Sequence, residues 1–231
     1  MKNIKELTDI EDSGWEIVKE WLDKCDNEYE VLAKNEASAK NELYMSQHTI
    51  HSILGSIVYE TGGILIDKGW LRILGSGHSE KLPRGIGTWN KGKTFKTHAM
   101  EAPFILIADD VLGGFFAING GEWDVDLGHI YYLAPDRIMW EQLHLTYTQF
   151  IQYCLFGDLE EFYGDLRWED WEKDMEKIRG DQAFSCMPPI WSEDVIVMEE
   201  LDKRPIYIDE IYALRIDILE QKLLNDNNQG R

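Results

Sequence analysis

Asp109-Asp110 is the acid pair in this chain best placed to do chemistry. Neighbouring carboxylates can raise one another's pKa, and a carboxyl that stays protonated near neutral pH is a proton donor, so the pair suggests acid-assisted hydrolysis. Against that, adjacent residues on a strand point to opposite faces. Aspartates placed ahead of a turn such as Gly113-Gly114 also bond readily to nearby backbone N–H groups. The turn role is favoured, and a hydrolase with its site near the glycine-rich segment 75–89 is the alternative.

A second acidic cluster, Glu122-Trp123-Asp124-Val125-Asp126, alternates carboxylates around an aromatic. It lacks the glycine and distal glutamate of a calcium-binding loop. It suits a partner surface better, with Trp123 as an apolar anchor and Glu122, Asp124 and Asp126 facing Lys or Arg of another protein. The competing reading places Trp123 in the core beside a solvated loop. His48 and His51 would share a helical face, but no third ligand accompanies them, and no metal site is expected. Gly75-Ser76-Gly77-His78 could offer backbone N–H groups to an anion, yet it has neither the Gly-Lys-Ser/Thr ending of a phosphate loop nor a full dinucleotide fingerprint. No cofactor is expected.

The 231 residues carry 43 Asp and Glu against 23 Lys and Arg, a formal charge of −20. That charge repels nucleic-acid phosphate and anionic lipid heads, and it favours a basic protein partner if function rather than solubility explains it. Cys25, Cys154 and Cys186 are odd in number and far apart, which argues against a disulfide framework and a zinc finger. No apolar run approaches the ~20 residues of a membrane helix, so a cytoplasmic protein that does not enter membranes is expected. With 44% hydrophobic residues and nine Trp, the chain can build a sizeable core.

These residues need a scaffold, and local signals outline one. Ser13 and Glu16 predict a capping box and a helix with Trp15, Val18, Trp21 and Leu22 on one face. Residues 36–44 have good helix propensity, and Ser52 caps a helix that ends at Gly62-Gly63. Residues 63–67 and 70–74 read as a β-hairpin turning at Lys68-Gly69, followed by a loop over 75–89. Apolar runs at 103–108, 115–118 and 128–133 predict strands. Residues 138–155 predict a helix broken near Leu145-Thr146, 195–198 and 205–208 two strands, and Ile211, Leu214 and Ile218 a final helix. The expected architecture is α+β, a curved, mainly antiparallel sheet flanked by helices. A helical segment over 1–51 packs on a core of 52–157. An acidic and aromatic extension of the same domain covers 158–224, and 225–231 forms a mobile tail.

The succession of Tyr59-Glu60-Thr61-Gly62-Gly63, Ile105-Leu106-Ile107-Ala108-Asp109-Asp110, Gly113-Gly114-Phe115-Phe116-Ala117-Ile118, Gly128-His129-Ile130-Tyr131-Tyr132 and Tyr147-Thr148-Gln149-Phe150-Ile151 resembles the SUKH superfamily of toxin-immunity proteins and cell-wall-synthesis regulators. The run from Thr61 to Gly77, with Trp89-Asn90, is similar to an uncharacterised bacterial domain-of-unknown-function family. The SUKH resemblance implies binding rather than a catalytic residue set. The expected function is therefore a non-enzymatic protein-binding module, in the form of an immunity protein that neutralises a basic toxin. A homodimeric scaffold is the remaining alternative to the hydrolase.

Overall fold

The computed structural model describes residues 1–9, 12–123, 125–192 and 197–229. Helix α1 (Ile4–Thr8) opens on a complete capping box between Asn3 and Glu6. At α2 (Gly14–Leu22) the Ser13 hydroxyl accepts from Trp15 N, while Glu16 pairs with Lys19 at 2.8 Å instead of closing the predicted box. Strand β1 (Tyr29–Leu32) leads into α3 (Glu36–Ser46), capped by Asn35, and α4 (Ile53–Glu60), capped by Ser52 as its sequence predicts.

The predicted hairpin forms as β2 (Gly63–Ile66) and β3 (Leu71–Leu74), with antiparallel pairing of Ile64 to Ile73. Its turn needs positive φ at Asp67, Lys68 and Gly69. The expected loop 75–89 closes with a short helix, α5 (Ile86–Asn90). Strands β4 (Phe104–Asp110), β5 (Phe115–Asn119) and β6 (His129–Leu133) follow the three apolar runs.

Residues 138–155 are not one broken helix. Their first half is the strand β7 (Glu141–Thr146), and α6 (Tyr147–Phe156) starts where the break was expected, with Thr146 and Gln149 forming its capping box. Leu143 and Leu145 alternate with polar residues, a period of two that fits a half-buried strand. Beyond α7 (Leu159–Tyr163) and α8 (Trp171–Met175), strand β8 (Gln182–Met187) pairs antiparallel with β9 (Asp202–Tyr207). The described partner of β9 is thus β8. Residues 195 and 196 lie outside the described residues, and Met198 opens a 3₁₀ turn. Helix α9 (Ile208–Gln229) continues through 225–229, where a mobile tail was expected.

Among the described residues, β1 to β7 form one sheet in chain order with every neighbour antiparallel, and β8-β9 form a separate ribbon. Register shifts between Leu106 and Ala108 and between His129 and Tyr131 bend the large sheet. All of β3 and nearly all of β4 are buried, so both sheet faces are covered. Leu71 lies among Phe150 and Tyr163 on one face, while Arg72 reaches Gln182 of the C-terminal segment on the other. The fully buried Trp70 meets Tyr163 edge-on at 5.4 Å and Trp171 at 5.1 Å, with the Arg167 guanidinium 5.0 Å from its ring. Such aromatic pairs add about 0.5–1.5 kcal/mol each beyond the area they bury.

Candidate functional site

The β3-β4 register sets Arg72 directly opposite Asp109. Arg72 Nε donates to Asp109 Oδ1 at 2.6 Å, and Arg84 Nη2 donates to Oδ2 at 2.5 Å. Further guanidinium nitrogens donate to backbone, Arg72 Nη1 to Gln182 O at 2.6 Å, Arg72 Nη2 to Asp110 O at 3.2 Å and Arg84 Nη1 to Gly180 O, while the buried Arg84 Nε has no partner among the described residues. All three side chains are buried. This ion cluster clamps the sheet to the C-terminal segment, and it was not anticipated from sequence. Its one signal is a charge, Arg72, inside the apolar run Leu71-Arg72-Ile73-Leu74.

Asp110 faces the other way, as alternation on a strand requires. Its Oδ1 accepts from Leu112 N and Gly114 N, both at 2.9 Å, and its Oδ2 accepts from the Tyr132 hydroxyl at 2.7 Å. Burial raises its pKa, and the Tyr132 and backbone bonds act in the opposite sense. Only glycine fits at 114, because a Cβ there would lie 2.1 Å from Asp110 Oδ2. Both aspartates are fully buried at the end of a strand, and their oxygens are engaged by protein donors. Asp110 bonds the turn's N–H groups, while Asp109 serves the arginines.

The glycine-rich segment spends its donors internally: Ser76 N on Thr61 O, Gly77 N on Gly62 O and His78 N on Leu82 O. It borders an open cleft of about 520 Å³ with Lys34, Glu42 and Thr88. Glu42 is buried there, its Oε2 accepting from Thr88 N at 2.9 Å, and burial raises its pKa. His48 Nδ1 lies 2.8 Å from Ser46 O, and His51 Nδ1 lies 3.0 Å from Asp12 O. Among the described residues, no group of three or more His, Cys, Asp or Glu could hold a metal ion.

The described residues of the acidic cluster lie in the loop after β5. The Asn119 side chain accepts from Gly121 N at 2.9 Å and donates to Trp123 O at 2.9 Å and Val125 O at 2.7 Å. Trp123 is half-buried, stacked on Tyr131 at 4.0 Å and 11°, and set against Phe104 and Trp140 at 5.6 and 5.4 Å. It thus has both a core contact and a surface edge. Val125, Leu127 and Met139 stand 60%, 70% and 51% exposed on this loop and the one bearing Trp140. Glu122 and Asp126 are exposed beside them, with Asp126 Oδ2 receiving Gln142 Nε2 at 2.5 Å. Asp124 lies outside the described residues. Glu122, Trp123 and Asp126 therefore share one surface, whereas Asp109 and Asp110 are interior.

Fold and surface together describe an α+β protein with a seven-stranded antiparallel meander, a buried ion cluster and an apolar surface loop flanked by carboxylates. The chain belongs to the family described as "Protein of unknown function DUF2625", whose model matches residues 4–211. It is 41% identical over 212 residues to an "Uncharacterized protein" of Haemophilus influenzae, covering 92% of each chain. It is 38% identical over 220 residues to "Putative uncharacterized protein YbfG" of Escherichia coli strain K12, covering 95% of this chain and 98% of that one. No solved structure matches the chain.

Proposed function

We propose that this protein is a non-enzymatic protein-binding module that presents the Trp123 surface to a basic protein, in the manner of a SUKH-like immunity protein neutralising a toxin. The observation that carries this reading is the exposure of Val125, Leu127 and Met139 around a half-buried aromatic platform flanked by Glu122 and Asp126. Large apolar side chains gain most when a partner covers them, and a platform already fixed by Asn119 loses little freedom on binding. The carboxylates and the charge of −20 would steer a cationic partner and repel an acidic one. The same charge disfavours pairing of two copies through this surface.

The test is calorimetric titration of the full chain with purified secreted proteins encoded beside its gene, at low and high salt. One of them should bind saturably and lose affinity as salt rises. Leu127→Ser should weaken that complex about tenfold, and Glu122→Lys should chiefly slow association. Absence of salt-sensitive binding, or full affinity in both variants, would sink the proposal. A mass that doubles with concentration in light scattering would favour the homodimeric scaffold instead.

A further inference from the structure

Arg167 sits in a group of rings and carboxylates within the protein. Its guanidinium carbon lies 4.7 Å from the ring centre of Trp171, 5.0 Å from that of Trp70 and 5.5 Å from that of Tyr163. Asp67 and Glu160 pair with its nitrogens, Glu160 at 2.9 Å. An aromatic ring attracts a cation, and guanidinium suits it well, being planar, weakly hydrated and able to stack while its nitrogens meet carboxylates.

The same parts recur on the surface. Phe104, Trp123 and Trp140 form a triangle whose ring centres lie 5.4, 5.6 and 5.7 Å apart. All three rings pack on the core yet remain partly exposed, and Trp123 is held by its stack on the buried Tyr131. Glu122 and Asp126 stand exposed on the loop that carries Trp123. Among the described residues, no Lys or Arg lies over these three rings. Arg137, the nearest arginine in sequence to Trp140, pairs with Asp136 at 3.5 Å.

We infer that this triangle seats an arginine side chain of the basic partner, its guanidinium on Trp123 and Trp140 and its nitrogens toward Glu122 and Asp126. The inference rests on the partner surface proposed above and names the group which that surface reads. Carboxylates beside aromatic rings select a planar cation and repel an acidic residue. A lysine ammonium, compact and strongly hydrated, gains less from the rings. Rings already fixed by packing lose little freedom when a partner covers them.

The test titrates the full chain with the peptide N-acetyl-Gly-Arg-Gly-amide and its lysine and citrulline counterparts, following the tryptophan indole N–H signals by NMR. The arginine peptide should saturate in the millimolar range, as a single side chain would, and move the indole signals of Trp123 and Trp140. It should bind about fivefold more tightly than the lysine peptide, which has the same charge and so measures attraction to the acidic chain at large. The citrulline peptide, of similar shape but neutral, should not bind. Trp140→Leu should weaken the arginine peptide about fivefold, and Glu122→Gln combined with Asp126→Asn should remove its preference over citrulline. Equal binding of arginine and lysine, unmoved indoles, or full affinity in the folded carboxylate variant would each overturn the inference. If Trp140→Leu does not fold, the carboxylate variant decides. A protein encoded beside the gene that binds through Leu127 while the arginine peptide leaves both indoles unmoved overturns this inference and spares the proposed function. Specific arginine binding with no protein partner supports the inference and sinks that function.

Discussion

Asp109 is fully buried and holds two guanidinium groups that are themselves buried. Removing one member of such a cluster leaves the others buried and uncompensated, which costs more than the pair's net worth. Asp109→Ala should therefore lower stability by about 3–5 kcal/mol, read from the denaturation midpoint in urea. Glu42 differs, because burial alone raises its carboxyl above the ordinary 4.5. A raised folded-state pKa means that the native chain binds the extra proton. Its contribution is full below the unfolded value and is lost as pH rises through the folded one. Glu42→Gln should remove that loss, so the variant should gain on the parent chain as pH rises above about 4.5, measured by thermal melts at several pH values. The turn role of Asp110 was legible in sequence because the responsible contacts are two and four residues away. The partners of Asp109 were not, since Arg84 reaches it from a loop that has no periodic pattern.

At the level of elements, β2, β3, β4, β5 and β6 were legible because each is a short apolar run bounded by glycine, proline or a charged turn. Strands β1, β7 and β8 were not: β7 is polar enough to pass for helix, and in β1 and β8 a polar residue breaks the apolar run. β7 carries a further irregularity: His144 is exposed with φ +57, within a register shift that sets His129 against Thr146 and Tyr131 against Gln142. A left-handed residue costs a non-glycine side chain about 1–2 kcal/mol, most of which glycine avoids. His144→Gly should accordingly stabilise the protein by about 1 kcal/mol, seen as a rise in Tm of a few degrees. The kink also suits a terminal strand beside exposed apolar residues, because a bulged edge is a poor template for another chain.

Across the whole molecule, the C-terminal third completes the sheet's interior. Trp70 is enclosed by Tyr163, Trp168 and Trp171, Phe184 N bonds Val111 O at 2.7 Å, and Arg215 holds the carbonyls of Ala134, Pro135 and Arg137. Gly180 lies so close to Lys81 that a Cβ would overlap its carbonyl oxygen. A chain ending at residue 157 should therefore lack cooperative unfolding and dispersed amide resonances, whereas one ending at 224 should retain both. Composition could not disclose this dependence, because carbonyl groups that receive arginines are the same in every residue. It also has a consequence for biosynthesis. Arg72 leaves the ribosome 110 residues before Gln182 and Arg84 leaves 96 before Gly180, an interval of roughly 5–20 s at ordinary translation rates. Through that interval the nascent sheet carries cations whose final acceptors have not been synthesised. Folding is completed only as the last third of the chain emerges, and until then the acidic residues already translated keep the unfinished sheet dispersed.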